Sequence, residues 1–229
     1  MAKVEVFYYQ DFDESGSRGN ECYSESDVEQ YVSESKRRMA TRYPETTMRL
    51  YEALDKFPIS NRTCVVIGST CPYYEGIAIE HGAFVTLVEY EKIKSGHPKL
   101  KTMVVSEFDS QVEKFDVAIS ISSVEHSGLG RYGDPIDPDG DLLAMKSLRN
   151  GLNDGGLCFL AVPIGKDQIL WNAHRVYGRV RHPLLVEGFE VVATFGLNET
   201  DWERGVDALP RSTALAKFCH QPVFVLRKQ

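Results

Sequence analysis

No apolar run in the sequence approaches the roughly 18 residues that a membrane-spanning helix needs. The first ten residues, MAKVEVFYYQ, are too short and too polar a stretch for a secretory leader. These two absences argue for a cytoplasmic protein without a membrane partner, and make the sequons at Asn61 and Asn198 chance matches. An excess of basic charge is also missing, since 26 Lys and Arg stand against 33 Asp and Glu, a net charge of −7. Such a chain attracts neither a phosphate backbone nor an anionic lipid surface over a distance, so general nucleic-acid binding is not expected. The five cysteines, Cys22, Cys64, Cys71, Cys158 and Cys219, include no CxxC pair. Three of them, Cys64, Cys158 and Cys219, lie in or beside apolar runs and read as buried, reduced thiols of a reducing compartment. No internal repeat or low-complexity tract is found.

What is present is organised around residues 63 to 89, TCVVIGSTCPYYEGIAIEHGAFVTLVE. Residues 63 to 67 are β-branched or apolar and stop at Gly68, as a parallel strand buried on both faces would. The turn Gly68 to Pro72 leads into a helical stretch from Tyr74 to His81, closed by Gly82. A second apolar run, Phe84 to Val88, ends in the carboxylate of Glu89. Strand, glycine turn, helix, strand and an acid about 20 residues after the turn make the sequence form of a nucleotide-binding βαβ unit. The acid accepts hydrogen bonds from ribose hydroxyls, while N–H groups of the turn face a polar or anionic tail.

Upstream, residues 11 to 30 are rich in acids and read as a loosely held surface segment or a lid. Two helices follow between Val28 and Leu54, separated at Pro44. Downstream, Lys92 to Lys101 is a polar connection with at most a brief helix. Residues 102 to 105 form a third strand and Phe115 to Ser122 a fourth. A polar loop over 127 to 140 precedes an amphipathic helix from Asp141 to Leu152, with Asp139 or Asp141 as its N-cap. Asn153 to Gly156 stops that helix, Leu157 to Val162 is a fifth strand, and residues 166 to 188 are mixed. Two last strands, Phe189 to Phe195 and Val223 to Leu226, flank a polar excursion. This order implies an α/β fold with a seven-stranded, mainly parallel sheet, an antiparallel last strand and helices on both faces. Residues 1–59 would be an acidic segment and helical lid, and residues 60–229 the main domain. The loops after Ile67, Val88, Val105, Ser122 and Val162 should then face one crevice.

The segments VIGS at 66 to 69, VTLVE at 85 to 89, KFDVAISISSVEH at 114 to 126 and LRNGLNDGGLCFLAVP at 148 to 163 resemble the Rossmann-like class I S-adenosylmethionine-dependent methyltransferase fold. More narrowly, SSVEHSGLGRYGDPIDPDGDLLAMKSL and VPIGKDQILWNAHRVYGRVR are similar to a domain family of unknown function with nematode members, placed in that superfamily. The resemblance implies S-adenosylmethionine as cofactor. It would place Gly68 and Ser69 against the methionine part, Glu89 on the ribose, Phe108 with Glu107 or Asp109 around the adenine, and Ser122 and Ser123 beside the sulfonium. The family's first motif reads G-x-G-x-G, whereas here Ser69, Thr70, Cys71 and Pro72 follow its single glycine. That departure bears on the amino-acid end of the cofactor site.

Glu125 and His126 follow the fourth strand and are candidate general bases, with Asp134 as a third catalytic candidate. Gly128 to Gly133 matches GxGxxG but continues into Asp134-Pro135, which cannot open a helix, so a shaped acceptor-side loop is expected rather than a phosphate cradle. Asp134, Asp137, Asp139 and Asp141 are read as turn and capping residues, with no metal site. Arg131, Tyr132, His174, Arg175 and Tyr177 are candidates for binding the acceptor, arginine being suited to carboxylate or phosphate; the alternative for the basic run 174 to 182 is a solvated helix face. The expected activity is O- or N-methylation of a small-molecule or glycan-like polar acceptor. Two alternatives stand beside it: a non-catalytic binding or scaffold protein, favoured by the single-glycine turn, and an NAD-dependent oxidoreductase sharing the βαβ unit.

Overall fold

The computed structural model describes residues 3–5, 22–132, 134–171, 173–205 and 220–229. Seven strands form the central sheet: β1 (Thr63–Ile67), β2 (Phe84–Glu89), β3 (Leu100–Val104), β4 (Phe115–Ile121), β5 (Leu152–Ala161), β6 (Phe189–Phe195) and β7 (Val223–Lys228). Their spatial order is β6-β7-β5-β4-β1-β2-β3. Strands β1 to β5 run parallel, and β7 lies antiparallel between β5 and β6. This is the α/β architecture expected from the sequence, including the antiparallel last strand. The chain steps outward from β1 to β2 and β3, then returns past β1 to β4. A crevice therefore opens beyond the carboxyl ends of β1 and β4.

Both faces of the sheet are covered because successive side chains of a strand point in opposite directions. Cys64 and Val66 of β1 join the core under helices α1 (Glu25–Lys36), α2 (Pro44–Lys56) and α3 (Tyr73–Glu80). Val65 joins the opposite core, with Phe108 of α4 (Val105–Ser110), Met145 and Leu148 of α5 (Gly140–Gly151) and Leu185 of α6 (Arg181–Leu185). Among the described residues, no helix is long and apolar enough to cross a membrane. Cys64 and Cys158 are buried and free, as expected, while Cys219 lies outside the described residues.

Several local expectations are corrected. The acidic segment is ordered from Cys22 onward, because Ser24 and Asp27 form a capping box that starts α1 within it; residues 11–21 lie outside the described residues. Pro44 does separate two helices, at the first position of α2, where its missing N–H costs nothing. Val105 belongs to α4 rather than to the third strand, since the Glu107 carboxylate accepts the Val104 N–H at 3.0 Å and turns the chain. Asn153 to Gly156 does not separate helix from strand. It lies inside β5, where a register shift opposite Phe115–Val117 absorbs it. The connection over 92–101 holds no helix but a two-residue strand, Lys94–Ser95, beside Cys22–Tyr23. Asp139 sits at the N-cap of α5 without a side-chain capping bond. Residues 166–188 contain a small hairpin, Gln168–Leu170 with His174–Val176, against which Lys3–Glu5 runs parallel.

Candidate functional site

Two turns meet at the switch point. In the first, Gly68 has a φ of +71°, and a Cβ placed on it would lie 2.1 Å from Ser123 Oγ. Glycine is thus what lets the loop after β4 close on the turn after β1. Ser69 beside it has every polar group engaged. Its N–H donates to the Glu89 carboxylate, its carbonyl accepts the Tyr23 hydroxyl at 2.8 Å, and its own hydroxyl lies 2.6 Å from the Cys71 carbonyl and 3.0 Å from Glu75 Oε2. Burial pushes Glu89 up, against the hydrogen bonds from Ser69 and Tyr90. Glu75, in the first turn of α3, has no exposed surface, and burial pushes its carboxyl up to about 8. Its second oxygen, Oε1, has no hydrogen-bond partner among the described residues.

The second turn follows β4. Ser122 sits at a φ of +52°, uncommon for a residue with a side chain, and so does Tyr43 at +42°. The two touch, the Ser122 Oγ lying 3.3 Å from the Tyr43 hydroxyl. Backbone strain gathered at one point of contact is characteristic of functional sites. Ser122 Oγ donates to Glu125 Oε1 at 2.8 Å and receives the side-chain amide of Gln221 at 3.1 Å. Glu125 is fully buried, with Oε2 unpartnered among the described residues, and burial raises it. His126 Nδ1 lies 2.5 Å from the Ala173 carbonyl, which only accepts, so Nδ1 carries the proton. In the neutral ring Nε2 is then the lone pair, 3.7 Å from Glu125 Oε1. The imidazole meets Tyr132 and His174 edge to face, at 5.4 and 6.2 Å between ring centres. His174 is held down to about 3, by burial first and then by His126 and Arg131. Arg131 donates to the same Ala173 carbonyl at 3.3 Å and lies over the Tyr132 ring.

Gly68, Ser69, Glu89, Ser122, Ser123, Glu125, His126, Arg131, Tyr132 and His174 are therefore gathered around the ends of β1, β2 and β4. The remaining candidates are turned elsewhere. Phe108 is buried in the core, stacked on Phe115 and set against Gly151, and Glu107 caps the start of α4. Asp134 accepts three backbone N–H groups, from Gly128 at 2.6 Å and from Gly130 and Tyr132 at 3.2 Å, and so shapes its own loop. Arg175 has no exposed surface; its guanidinium donates to the carbonyls of Ser127, Asp137 and Pro138 and lies 3.5 Å from Asp141. Tyr177, equally buried, donates to Asp141 at 2.9 Å. The basic run is consequently no continuous solvated helix face, since of residues 174 to 182 only Arg179 and Val180 are exposed. Arg181 also pairs with Asp141, Arg179 with Glu199, and His182 packs on Trp202 and Phe224.

Four residues at the site were not singled out in the sequence: Tyr23, Tyr43, Glu75 and Gln221. Glu75 alone carried a signal, as the one acid within the otherwise apolar first turns of a buried helix. The other three arrive from distant segments with no pattern to mark them.

Solved structures share this architecture. NodS, an N-methyltransferase from Bradyrhizobium japonicum WM9, superimposes with a TM-score of 0.51 and 13% identity over 80% of this chain and 93% of that one. The 1,6-didemethyltoxoflavin-N1-methyltransferase of Burkholderia thailandensis, with bound 1,6-didemethyltoxoflavin and S-adenosylhomocysteine, does so at 0.56 and 14% over 88% and 87%. No curated protein matches the sequence at a significant level. At such identities the likeness gives the fold, that of the Rossmann-like class I methyltransferases. Kinship comes from a family model matching residues 61–229: the chain belongs to the family described as Caenorhabditis protein of unknown function, DUF268.

Proposed function

We propose that the protein binds S-adenosylmethionine in the crevice beyond β1 and β4 and methylates a small, polar acceptor, a glycan-like one included, at oxygen or nitrogen. The observation that carries this reading is the pair of carboxyl groups in the first turn, which can become a counter-charge when a cation arrives. Two carboxyl groups, Glu75 and Glu89, flank Ser69, and among the described residues no cationic side chain forms an ion pair with either. A ligand with positive charge suits that turn. A dinucleotide pyrophosphate does not, because the Ser69 N–H is already given to a carboxylate, and this tells against the nicotinamide alternative. Glu89 would take the ribose hydroxyls, Gly68 and Ser69 the amino-acid end, and Ser122 and Ser123 the neighbourhood of the sulfonium. The cofactor, when bound, supplies a methyl group activated by positively charged sulfur.

On the acceptor side, His126 is the group placed to receive a proton. The Ala173 carbonyl fixes its tautomer with Nε2 free, and Glu125 stands beside that nitrogen to stabilise an imidazolium. Tyr132, Arg131 and His174 form the surrounding wall. Asp134, Arg175 and Tyr177 act at one remove by holding the loop that presents Arg131 and Tyr132. Orientation contributes most to a transfer of this kind, so removing His126 should lower the rate without abolishing it. The buried free thiols suit a cytoplasmic setting.

Calorimetric titration of wild type and Glu89→Ala with S-adenosylmethionine, S-adenosylhomocysteine and NAD tests the reading. Micromolar binding of both adenosyl ligands, lost in the variant, is the expected result. NAD binding alone would install the oxidoreductase instead. Silence from all three would favour the binding or scaffold protein, whose supporting observation is that Glu89 is already engaged with the Ser69 N–H.

A further inference from the structure

The hydroxyl of Ser69 has one hydrogen and two oxygens in reach, the Cys71 carbonyl at 2.6 Å and Glu75 Oε2 at 3.0 Å. A carbonyl cannot donate, so the hydroxyl proton belongs to the shorter contact. The contact with Glu75 is then a hydrogen bond only if the carboxyl group itself supplies the proton. A neutral Glu75 is also what its surroundings demand, with no exposed surface, Oε1 unpartnered, and Glu89 on the other side of the same serine. Isolated carboxylates are not kept in such places without a counter-charge. The turn therefore holds an acid with an unfilled hydrogen-bonding oxygen, next to the point where the sequence abandons the family's glycine-rich motif.

We infer that Glu75 is the counter-charge for the α-ammonium group of the bound adenosyl amino acid, forming with Ser69 a subsite for a primary ammonium cation. The inference rests on the proposed cofactor reading and deepens it. Ser69, whose hydroxyl contacts Glu75, is half-buried and Thr70 beside it is exposed, so along this contact the carboxyl lies one residue from the surface of the turn. An ammonium group settling at Ser69 offers the N–H donors that the two oxygens of Glu75 lack. Glu75 gives up its proton to solvent as the cation arrives, and its carboxylate accepts from the ammonium, so one proton leaves for one charge gained.

The test compares S-adenosylhomocysteine, which carries the amino-acid end, with 5′-methylthioadenosine, which lacks it. In wild type the first should bind more tightly. Glu75→Gln keeps the donor to Ser69 and the side-chain volume but removes the charge. It should weaken S-adenosylhomocysteine at least about tenfold, the worth of one charge-assisted hydrogen bond, and change 5′-methylthioadenosine by less than about twofold. The second ligand thereby reports whether the variant is folded. The second readout is proton release, taken from the binding enthalpy in buffers of different ionisation heat. With the free carboxyl pushed up to about 8, it is mostly protonated at pH 7. Wild type should then release up to about one proton on binding S-adenosylhomocysteine, and none on binding 5′-methylthioadenosine. Glu75→Gln should release none with either ligand. Unchanged discrimination and unchanged proton release in Glu75→Gln overturn the subsite while leaving the cofactor reading intact. If wild type binds neither ligand, both fall together.

Discussion

At the scale of single residues, the site depends on one close approach. Gly68 and Ser123 come from strands separated by some fifty residues of chain, yet a methyl group on Gly68 would meet the Ser123 hydroxyl at 2.1 Å. Gly68→Ala therefore carries two costs, the left-handed backbone at +71° and the clash. Together they should lower stability by about 2–4 kcal/mol. Ser123→Gly removes the clashing atoms and leaves the backbone cost. In a denaturation double-mutant cycle the pair should then be less destabilised than the sum of the singles by about 1 kcal/mol or more. Strict additivity would mean that the two turns do not meet as described. The same residue scale explains what the sequence made legible. The turn position of Gly68 and Ser69 and the strand-end position of Glu89 were readable because a βαβ unit fixes them by spacing along one stretch. Tyr23, Tyr43 and Gln221 reach the site through tertiary packing alone, and a single chain of letters contains no spacing that announces it.

At the scale of elements, α1 and α3 pack so closely that Gly76 lies under Tyr31. A Cβ there would sit 2.6 Å from Tyr31 Cβ and 2.9 Å from its backbone carbonyl carbon. Ala in place of Gly gains about 1 kcal/mol of helix propensity. Overpacking against a backbone that must move costs about 1–3 kcal/mol, so Gly76→Ala should be destabilising on balance. Amide exchange should locate the loss in α1 rather than in the sheet. A stabilised variant would show that the helices are not in contact at this point. The central strands were legible from their β-branched or apolar runs, since burial on both faces leaves few polar positions to confuse the pattern. Asn153 to Gly156 misled because its turn-forming residues are those of a stop, and only the pairing of Leu152 with Phe115 shows that the strand has already begun. The Arg175 side chain misled similarly, as a run of basic letters does not reveal that an acid from α5, Asp141, draws two of them inward.

At the scale of the whole molecule, the helices of the first sixty residues and the sheet share one core. Val28, Leu50, Tyr51 and Leu54 are buried with Cys64, Val85, Ile119 and Phe159. A chain cut to residues 60–229, the portion expected from the sequence to stand as the main domain, would uncover that face of the sheet. Exposed apolar surface of this kind associates or collapses. The fragment should be recovered aggregated, or bind an apolar dye far more strongly than the full chain. A monomeric, cooperatively folding fragment would disprove the shared core.

The hydroxyls of Tyr23 and Tyr43 rest on Ser69 and Ser122, and both tyrosines stand before residue 61, where the family match begins. The floor of the crevice and its wall thus have separate genetic addresses. Exchanging residues 22–59 for another segment of the same apolar face would alter both contacts and leave the strand order untouched. On the proposed reading of the crevice, a change of ligand preference would then need no rebuilding of the sheet, only a new preface to it.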